Sequence, residues 1–248
     1  MTTIKNLSLA PQVGILSTLT APLLPRLLQG LIDFGITRIC VLLDEKLLSN
    51  KDQMIWLRRT EGIFDGGPSI YDFASKGIAF YPVKNHNDQD CISLIDRLGL
   101  LLLINGGTPR KLNAAVLGSV PRGVINVHPG ILPKYRGSSC VEWSIFNDDR
   151  VGNTAHFMTE DYDEGPIIRS ESYSFTFEDT YPSIRAKVYR ESLRLMVEST
   201  TAVLNQGLTL SLAKEQGVGE LFGPIPDKKM QIVLEKIITK TYRYMRAE

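Results

Sequence analysis

Runs of apolar residues alternate, along the first half of the chain, with segments in which apolar residues recur at helical spacing. The runs are short and uninterrupted, which is typical of strands buried on both faces of a sheet. The segments between them have the spacing of helices that cover such a sheet. The strands predicted in this way span 12–18, 37–45, 77–83, 100–106 and 123–129. The helices predicted in this way span 21–35, 88–99 and 109–120.

The pattern changes in the second half of the chain. The segment 153–160 alternates polar and apolar residues as a strand does, and 165–175 follows it as another strand. One long amphipathic helix is predicted over 180–207, and a last helix over 230–247 after a loop rich in glycine and proline. Residues 46–76 are mixed in character and predict one or two helices that leave the sheet.

Buried strands that alternate with helices predict an α/β fold with a doubly wound, mostly parallel, Rossmann-like sheet. We expect residues 1–207 to form the main domain and 208–248 to form a short C-terminal extension, a loop plus a helix, packed on it. In such sheets, ligands bind outside the carboxyl ends of the strands, so functional side chains are expected at that edge.

Composition narrows the classes of partner. The chain has 248 residues and a net charge of +1, which gives no general attraction to nucleic acid or anionic membranes. Three scattered cysteines suit reduced thiols and no metal site. The N-terminal sequence lacks the apolar stretch of a signal peptide, and the longest apolar run is too short to span a bilayer. We therefore expect a cytoplasmic protein without a nucleic-acid or membrane partner.

Two side chains able to do chemistry end the fifth predicted strand, in the sequence NVHPG. Side chains two positions apart on a strand point to the same face, so Asn126 and His128 are expected to project together. A carboxamide donates to a developing oxyanion, and an imidazole accepts a proton near neutral pH. The pair therefore suits attack on a carbonyl group. The alternative is that the two residues only end a strand in a satisfied turn.

A second polar segment, TEDYDEGP, offers three carboxylates in a turn, from Asp161, Asp163 and Glu164. A carboxylate beside His128 would orient the ring and raise the pKa of the imidazole by charge pairing. The residues alone leave the choice among the three acids open.

The sequence NVHPGILPKYRG, followed by GNTAHFMTEDYDEGPII, closely resembles the folate-dependent formyltransferases. That family includes glycinamide ribonucleotide formyltransferase, methionyl-tRNA formyltransferase and the sugar N-formyltransferases. The resemblance implies that residues 1–207 are a formyltransferase catalytic domain and that Asn126, His128 and Asp163 form a catalytic triad. It also implies supporting residues near the triad, which are Thr154 and, in a structural role, His156.

The resemblance further implies 10-formyltetrahydrofolate as the co-substrate and no metal. In the family this donor lies along the loop after the fourth strand and along the loop that carries the aspartate. The implied donor contacts are Gly107, Thr108, Pro109, Arg110, Leu112, Thr159, Asp161 and Tyr162. The candidate contacts to the acceptor are Lys134, Tyr135 and Arg136, on a basic and aromatic loop, and His86. A loop of that kind can bind a pyrophosphate or stack on a ring, or it is simply a solvated turn.

Two departures from the family reduce the number of acceptor classes to consider. The stretch ILSTLTAPLL lacks the glycine-rich turn with which the ribonucleotide enzymes bind phosphate through backbone N–H groups. About forty residues follow Gly207, fewer than the tRNA-binding barrel of the methionyl-tRNA enzymes needs. By elimination we expect a small-molecule amine, a nucleotide-linked amino sugar, as the acceptor. Separately, we expect the protein to be a homodimer. The alternatives are the ribonucleotide or methionyl-tRNA as acceptor, hydrolysis of the formyl donor, and a folate-binding regulatory module without turnover.

Overall fold

The computed structural model describes residues 12–64 and 67–247. Residues 1–11, on which the expectation about a signal peptide rests, lie outside these ranges. Within the two ranges, the elements in chain order are β1 (Val13–Thr18), α1 (Leu24–Asp33), β2 (Ile39–Asp44), α2 (Asn50–Thr60), α3 (Ile70–Ser75), β3 (Ala79–Val83), α4 (Gln89–Leu98), β4 (Leu102–Asn105), α5 (Ala114–Leu117), β5 (Val124–His128), β6 (Tyr135–Gly137), α6 (Cys140–Phe146), β7 (Gly152–Phe157), β8 (Ile167–Ser172), β9 (Phe175–Thr176), α7 (Tyr181–Asn205), β10 (Glu220–Phe222), α8 (Asp227–Ile238) and β11 (Met245–Arg246).

Seven of the described strands form one sheet in the order β3-β2-β1-β4-β5-β7-β8. The first five run parallel, whereas β7 is antiparallel to β5 and β8 is antiparallel to β7. Every residue of β1 is buried, and so are all but one of β2, which explains why their sequences are continuous apolar runs. The predicted α/β fold with a doubly wound, mostly parallel sheet is confirmed.

Two apolar clusters lie on opposite faces of this sheet. Successive residues of β1 enter different clusters, Ile15 with α1 and α7, and Leu16 with α4 and α5. This alternation is the expected result of a strand whose side chains point to both faces in turn. The three cysteines are buried and reduced.

The helix predicted over 109–120 is reduced to the four residues of α5. The preceding backbone is engaged elsewhere, because the Asn87 amide accepts a hydrogen bond from Asn113 N at 2.9 Å and donates to the Lys111 carbonyl oxygen at 2.9 Å. The side chain of Asn113 then caps α5 by accepting from Val116 N. Residues 105–113 therefore form a fixed loop at the carboxyl edge of the sheet.

The last helix also differs from its predicted range of 230–247, since α8 ends at Ile238. Beyond it, Tyr242 is buried in a third apolar cluster, and β11 pairs with β9. Upstream of it, β10 pairs in parallel with β6, so residues from the extension lie against the loop that follows His128. None of the helices in the described ranges has the length and apolarity needed to cross a bilayer.

Candidate active site

The sheet register brings the polar residues of three strands to one edge. Strands β4 and β5 are parallel neighbours with Ile104 beside Ile125, so the next residues, Asn105 and Asn126, follow in register. Strand β7 runs back along β5 and places His156 opposite Asn126. The same pairing places Thr154 opposite His128. Asn105, which the sequence motif does not include, is thus part of the same group.

The Asn126 carboxamide is held at both ends. Its Oδ1 accepts from Asn105 Nδ2 at 3.0 Å, and its Nδ2 lies 3.2 Å from His156 Nε2. Since His156 Nδ1 donates to the Phe157 carbonyl oxygen at 2.8 Å, Nε2 of a neutral ring is left as the acceptor. Burial lowers the pKa of His156 to about 4, so the ring is neutral at pH 7. Asn126 Nδ2 has a second hydrogen, which is the candidate donor to a ligand oxygen.

Both ring nitrogens of His128 have protein partners. Nδ1 lies 3.2 Å from Asp163 Oδ2, and Nε2 donates to the Tyr135 carbonyl oxygen at 2.8 Å. This second contact needs a glycine at 130, because a Cβ there would lie 2.7 Å from His128 Nε2. Burial lowers the pKa of His128, and the charge of Asp163 opposes this shift without offsetting it. The charge of Asp163 thus raises the pKa of His128 as predicted, but desolvation outweighs this contribution and the net shift is downward.

Of the three acids that the sequence left open, Asp163 is the one beside His128. Its Oδ2 also accepts from Gly137 N at 2.9 Å, and its Oδ1 lies 3.6 Å from His156 Nε2. The backbone of Asp163 is in the left-handed region, with φ of 57°. Asp161 is exposed, and Glu164 instead accepts from Arg136 Nη1 at 2.8 Å.

The turn that carries Asp163 is held by a residue of the C-terminal extension. Gln216 Nε2 donates to the Asp163 carbonyl oxygen at 3.0 Å and to the Gly165 carbonyl oxygen at 2.5 Å. Gln216 Oε1 in turn accepts from Arg136 Nη2 at 3.2 Å. Nothing in the sequence pattern pointed to Gln216, since the carbonyl oxygens to which it donates are about fifty positions away.

Thr154 supports the opposite side of the site. Its buried hydroxyl donates to the Gly130 carbonyl oxygen at 2.8 Å and accepts from Leu132 N at 3.1 Å. These bonds fix the backbone directly after His128. A supporting role of Thr154 in the reaction stays a prediction.

A first cavity, of about 180 Å³, lies between the loop 105–112 and the turn 158–163. We call it the donor-side cavity, and it is lined by Asn105, Thr108, Arg110, Lys111, Leu112, Asn126, His156, Met158, Thr159, Glu160, Asp161, Tyr162 and Asp163. Leu112 is buried, whereas 58% of Tyr162 is exposed and its ring centroid lies 5.1 Å from Lys111 Nζ. Six of the eight predicted donor contacts line this cavity, and Pro109 lies between two of them in the sequence. The eighth, Gly107, lines a second cavity.

Two predicted ligand contacts hold the loop 105–112 in place. The Arg110 guanidinium binds Asp44 through Nε at 2.5 Å and Nη2 at 2.9 Å. The fully buried His86 ring contacts Thr108 Oγ1 at 2.7 Å and the Leu42 carbonyl oxygen at 2.9 Å. Burial raises the pKa of the Asp44 carboxyl, but hydrogen bonds from Arg110 and from two backbone N–H groups bring it below the ordinary value. His86 thus lies beneath the loop and supports Thr108.

The second cavity, of about 240 Å³, lies on the other side of Asn126. We call it the apolar cavity, because its walls are mainly Ala21, Pro22, Leu23, Leu27, Leu48, Trp56, Val127, Leu193 and Met196. It continues into a wider cleft of about 550 Å³, which Lys51, Arg59, Ser138 and Ser139 line. Trp56 of α2 belongs to both spaces and packs on Tyr189 with ring centroids 4.4 Å apart. Helix α2 therefore builds a wall of the site, which the mixed sequence of residues 46–76 did not reveal.

The three predicted acceptor contacts on the loop after His128 have partners within the protein. Lys134 Nζ and the Tyr135 hydroxyl both contact Asp149 Oδ2, at 2.6 and 2.5 Å. Tyr135 is buried, so the loop is not a solvated turn. Arg136 bonds to Glu164, to Gln216 and to the Gly217 carbonyl oxygen. Across residues 12–64 and 67–247, no group of three or more His, Cys, Asp or Glu side chains is placed to hold a metal ion.

Comparison with known proteins gives a family match and a structural likeness. Residues 46–200 match the family described as formyl transferase. The chain is 30% identical over 147 residues to the methionyl-tRNA formyltransferase of Pelotomaculum thermopropionicum, a match that covers 59% of this chain and 46% of that protein. The chain thus spans less than half the length of that relative.

Two solved structures share the fold. Glycinamide ribonucleotide transformylase 1 from Symbiobacterium toebii is 19% identical with a TM-score of 0.59, over 83% of this chain and 93% of that one. An N-formyltransferase from Helicobacter canadensis, solved in complex with folinic acid and dTDP-3-aminofucose, is 13% identical with a TM-score of 0.59, over 95% of this chain and 83% of that one. At these identities the likeness shows the fold and leaves the acceptor open.

Proposed function

The chain belongs to the formyl transferase family, and on this premise we propose that it transfers the formyl group of 10-formyltetrahydrofolate to the primary amine of a nucleotide-linked amino sugar. One observation carries the proposal. Asn105 and Asn126 line both the donor-side cavity and the apolar cavity, so a donor and an acceptor placed in the two spaces meet at the Asn126 amide.

The donor-side cavity suits the folate part of the donor. Its lining combines the backbone of two loops, which offers hydrogen bonds in fixed directions, with the apolar side chains of Leu112 and Met158. A flat ring system with donors and acceptors on its edge is bound well by such a lining. When bound, 10-formyltetrahydrofolate supplies an electrophilic formyl carbon and a nitrogen leaving group. The folinic acid bound to the Helicobacter canadensis enzyme supports the same assignment here.

Asn126 is the proposed donor to the formyl oxygen as negative charge develops on it. Its carboxamide is fixed by Asn105 and His156 before any ligand binds, so little reorganisation is needed during the reaction. One such donor is typically worth about 10²–10³ in rate.

Asp163 is the proposed acceptor of the amine proton, which it then gives to N10 of the folate as the bond between N10 and the formyl carbon breaks. Its carboxylate lines the donor-side cavity beside His156, whereas His128 lies behind it and is 4% exposed. This proposal differs from the roles expected from the motif, in which the imidazole of His128 accepts the proton. The Tyr135 carbonyl oxygen keeps the hydrogen of His128 on Nε2, so Nδ1 is an acceptor that can share the proton taken up by Asp163 Oδ2, 3.2 Å away. General acid–base assistance of this kind is typically worth about 10²–10⁴.

The apolar cavity and the outer cleft are the proposed acceptor site. A volume of about 240 Å³ suits a group of sugar size, and its apolar walls suit the less polar face of a sugar that lacks a hydroxyl. The outer cleft carries Lys51, Arg59 and Asp52, and Arg59 Nε lies 3.5 Å from Glu142 Oε1, so Lys51 and the other N–H groups of Arg59 are the proposed contacts to a diphosphate. The dTDP-3-aminofucose bound to the Helicobacter canadensis enzyme supports an acceptor of this class.

The decisive experiment is a panel of acceptors, assayed by release of tetrahydrofolate from 10-formyltetrahydrofolate. Thymidine-, uridine- and guanosine-diphosphate amino sugars, glycinamide ribonucleotide and methionyl-tRNA are compared at equal concentration. We expect turnover with at least one nucleotide-linked amino sugar. Turnover with glycinamide ribonucleotide or methionyl-tRNA alone would refute the sugar assignment.

The second candidate function is formylation of methionyl-tRNA, which the match to the Pelotomaculum thermopropionicum enzyme favours. The same panel of acceptors tests this function. The panel also distinguishes hydrolysis of the donor from folate binding without chemistry. Formate release without any amine identifies hydrolysis of the donor. Folate binding without turnover on any member identifies a binding module.

A further inference from the structure

We propose that Asn105 is a positioning residue that determines which atom of the Asn126 carboxamide faces the reacting carbonyl group. The motif that suggested the catalytic residues does not include it. The proposal rests on the proposed function only for the identity of that carbonyl. The orientation of the amide is a property of the folded chain and can be measured without any substrate.

Two backbone N–H groups beside Asn105 have a hydrogen-bonding role that is fixed. Gly107 N and Thr108 N lie 3.1 and 3.0 Å from one atom of the Asn105 carboxamide. A backbone N–H can only donate, so that atom must be the oxygen, Oδ1. The nitrogen of Asn105 must then face Asn126, where it donates to Oδ1 at 3.0 Å.

The other end of the chain of hydrogen bonds is fixed in the same way. The Phe157 carbonyl oxygen can only accept, so the nearer ring nitrogen of His156, Nδ1, carries a hydrogen. Nε2 of the neutral ring is then an acceptor and requires the nitrogen of Asn126, which lies 3.2 Å away. The two ends therefore require the same orientation of Asn126, with Oδ1 toward Asn105 and Nδ2 toward His156 and the ligand.

The opposite orientation would place a carbonyl oxygen where the oxyanion develops. Asn126 Oδ1 would then face the formyl oxygen, and both atoms are electron-rich. The hydrogen bond from Asn126 Nδ2, typically worth about 10²–10³ in rate, would be lost. Among the residues that the structure describes, Asn105 supplies the one side-chain donor to Asn126 Oδ1, so it excludes this orientation from that side.

Asn105 also joins the amide to the loop that is proposed to hold the donor. The oxygen that accepts from Gly107 N and Thr108 N is part of the same carboxamide that orients Asn126. Thr108 is in turn held by His86 at 2.7 Å. The loop conformation and the amide orientation therefore depend on one side chain, and a substitution is needed that separates the two roles.

Asn105→Asp separates them. A carboxylate still accepts from Gly107 N and Thr108 N, so we expect the affinity for 5-formyltetrahydrofolate, an unreactive donor analogue, to stay within about threefold of wild type. It cannot donate to Asn126, whose amide turns its nitrogen toward the new carboxylate. With the panel's accepted amine, we expect kcat to fall by about 10²–10³. Asn105→Ala removes both roles and should also weaken binding of the analogue.

A spectroscopic readout separates orientation from other effects of the added charge. In ¹⁵N-histidine-labelled wild-type protein at pH 7, we expect His156 Nε2 to carry no hydrogen. In Asn105→Asp, the inverted amide presents its oxygen to Nε2, so this nitrogen becomes protonated and the pKa of His156 rises. The His156 signals are assigned through their loss in His156→Gln. This readout decides the proposal even if no amine of the panel is formylated.

A double-mutant cycle gives the kinetic test. If Asn105 acts through Asn126, the loss caused by Asn105→Asp should be almost absent in an Asn126→Ala background. The proposal is overturned if Nε2 stays unprotonated in Asn105→Asp, or if the loss persists in full in that background. If the Asn105→Asp variant does not fold, Asn105→Ala takes its place. A fall of about tenfold or more in kcat that disappears in an Asn126→Ala background supports the proposal, and an unchanged kcat overturns it.

Discussion

All three histidines of the chain are buried, which predicts a specific sensitivity to acid. Desolvation lowers the pKa of His86, His128 and His156 below the ordinary value of 6.5. Between the lowered folded-state pKa and 6.5, the unfolded chain binds more protons than the folded one. The free energy of unfolding therefore rises with pH in that window and falls as the pH drops.

The size of the effect can be worked out for His156, whose pKa falls from 6.5 to about 4. Between pH 7 and pH 5, protonation of the unfolded chain at this single residue lowers the free energy of unfolding by about 2 kcal/mol. His86 and His128 add losses in the same direction. Asp44 and Glu142, whose pKa values are lowered, lose their contributions only below their ordinary values of 3.8 and 4.5, so pH 5–7 mainly isolates the histidines.

The assay is urea unfolding of wild type and His156→Gln at pH 7 and pH 5. Glutamine can still accept from Asn126 and does not titrate, so we expect its pH-dependent loss to be smaller than that of wild type by about 2 kcal/mol. Ala155→Gly is the matched control, because it weakens the same buried strand without removing a titrating group. Equal pH-dependent losses in wild type and His156→Gln, with unchanged m-values, would refute the assignment of a neutral His156.

Three further predictions concern the site. Asn126→Ala should lower kcat by about 10²–10³ while 5-formyltetrahydrofolate affinity, measured by calorimetry, stays nearly constant; an equal loss of both would contradict an oxyanion donor. Gln216→Ala releases the Asp163 turn and should lower kcat by about tenfold or more with a small change in Tm. The control is Gln206→Ala, a change of an exposed glutamine, which should leave kcat and Tm unchanged; an equal fall of kcat in this control would point to a general effect. In a Trp143→Phe background, the remaining tryptophan, Trp56, should change its emission when an accepted nucleotide sugar binds; an unchanged spectrum at saturation would place the acceptor elsewhere.

The fold could be predicted from the sequence where burial alone determines the pattern. Strands such as β1 and β2 are covered on both faces, so they are continuous apolar runs whatever packs on them. The predicted helix over 109–120 was wrong because Asn87, an unremarkable loop residue in the sequence, takes up the backbone groups of Lys111 and Asn113. Such contacts between distant loops leave no periodic signal.

The site could be predicted only in part, for a similar reason. Asn126 and His128 share a strand, so their common direction follows from a period of two. Asn105 lies on another strand and reaches the site through the register between β4 and β5, which the sequence does not fix. A usable signal was nevertheless present, because two asparagines at the ends of neighbouring parallel strands are expected to lie side by side. The net pKa of His128 could not be predicted, since desolvation depends on the complete packing.

The C-terminal extension has a consequence for how this enzyme family can diversify. Lys214 pairs with Ile167 of β8, Gln216 holds the Asp163 turn and β10 pairs with β6, so residues 214–222 lie along the outer side of the Asp163 turn. No residue of the segment 214–222 belongs to a strand of the seven-stranded sheet. Insertions or exchanges in this segment can therefore change the position of the Asp163 carboxylate while the folding core keeps its sequence. Natural variants that differ in acceptor or in regulation are expected to differ first in this segment.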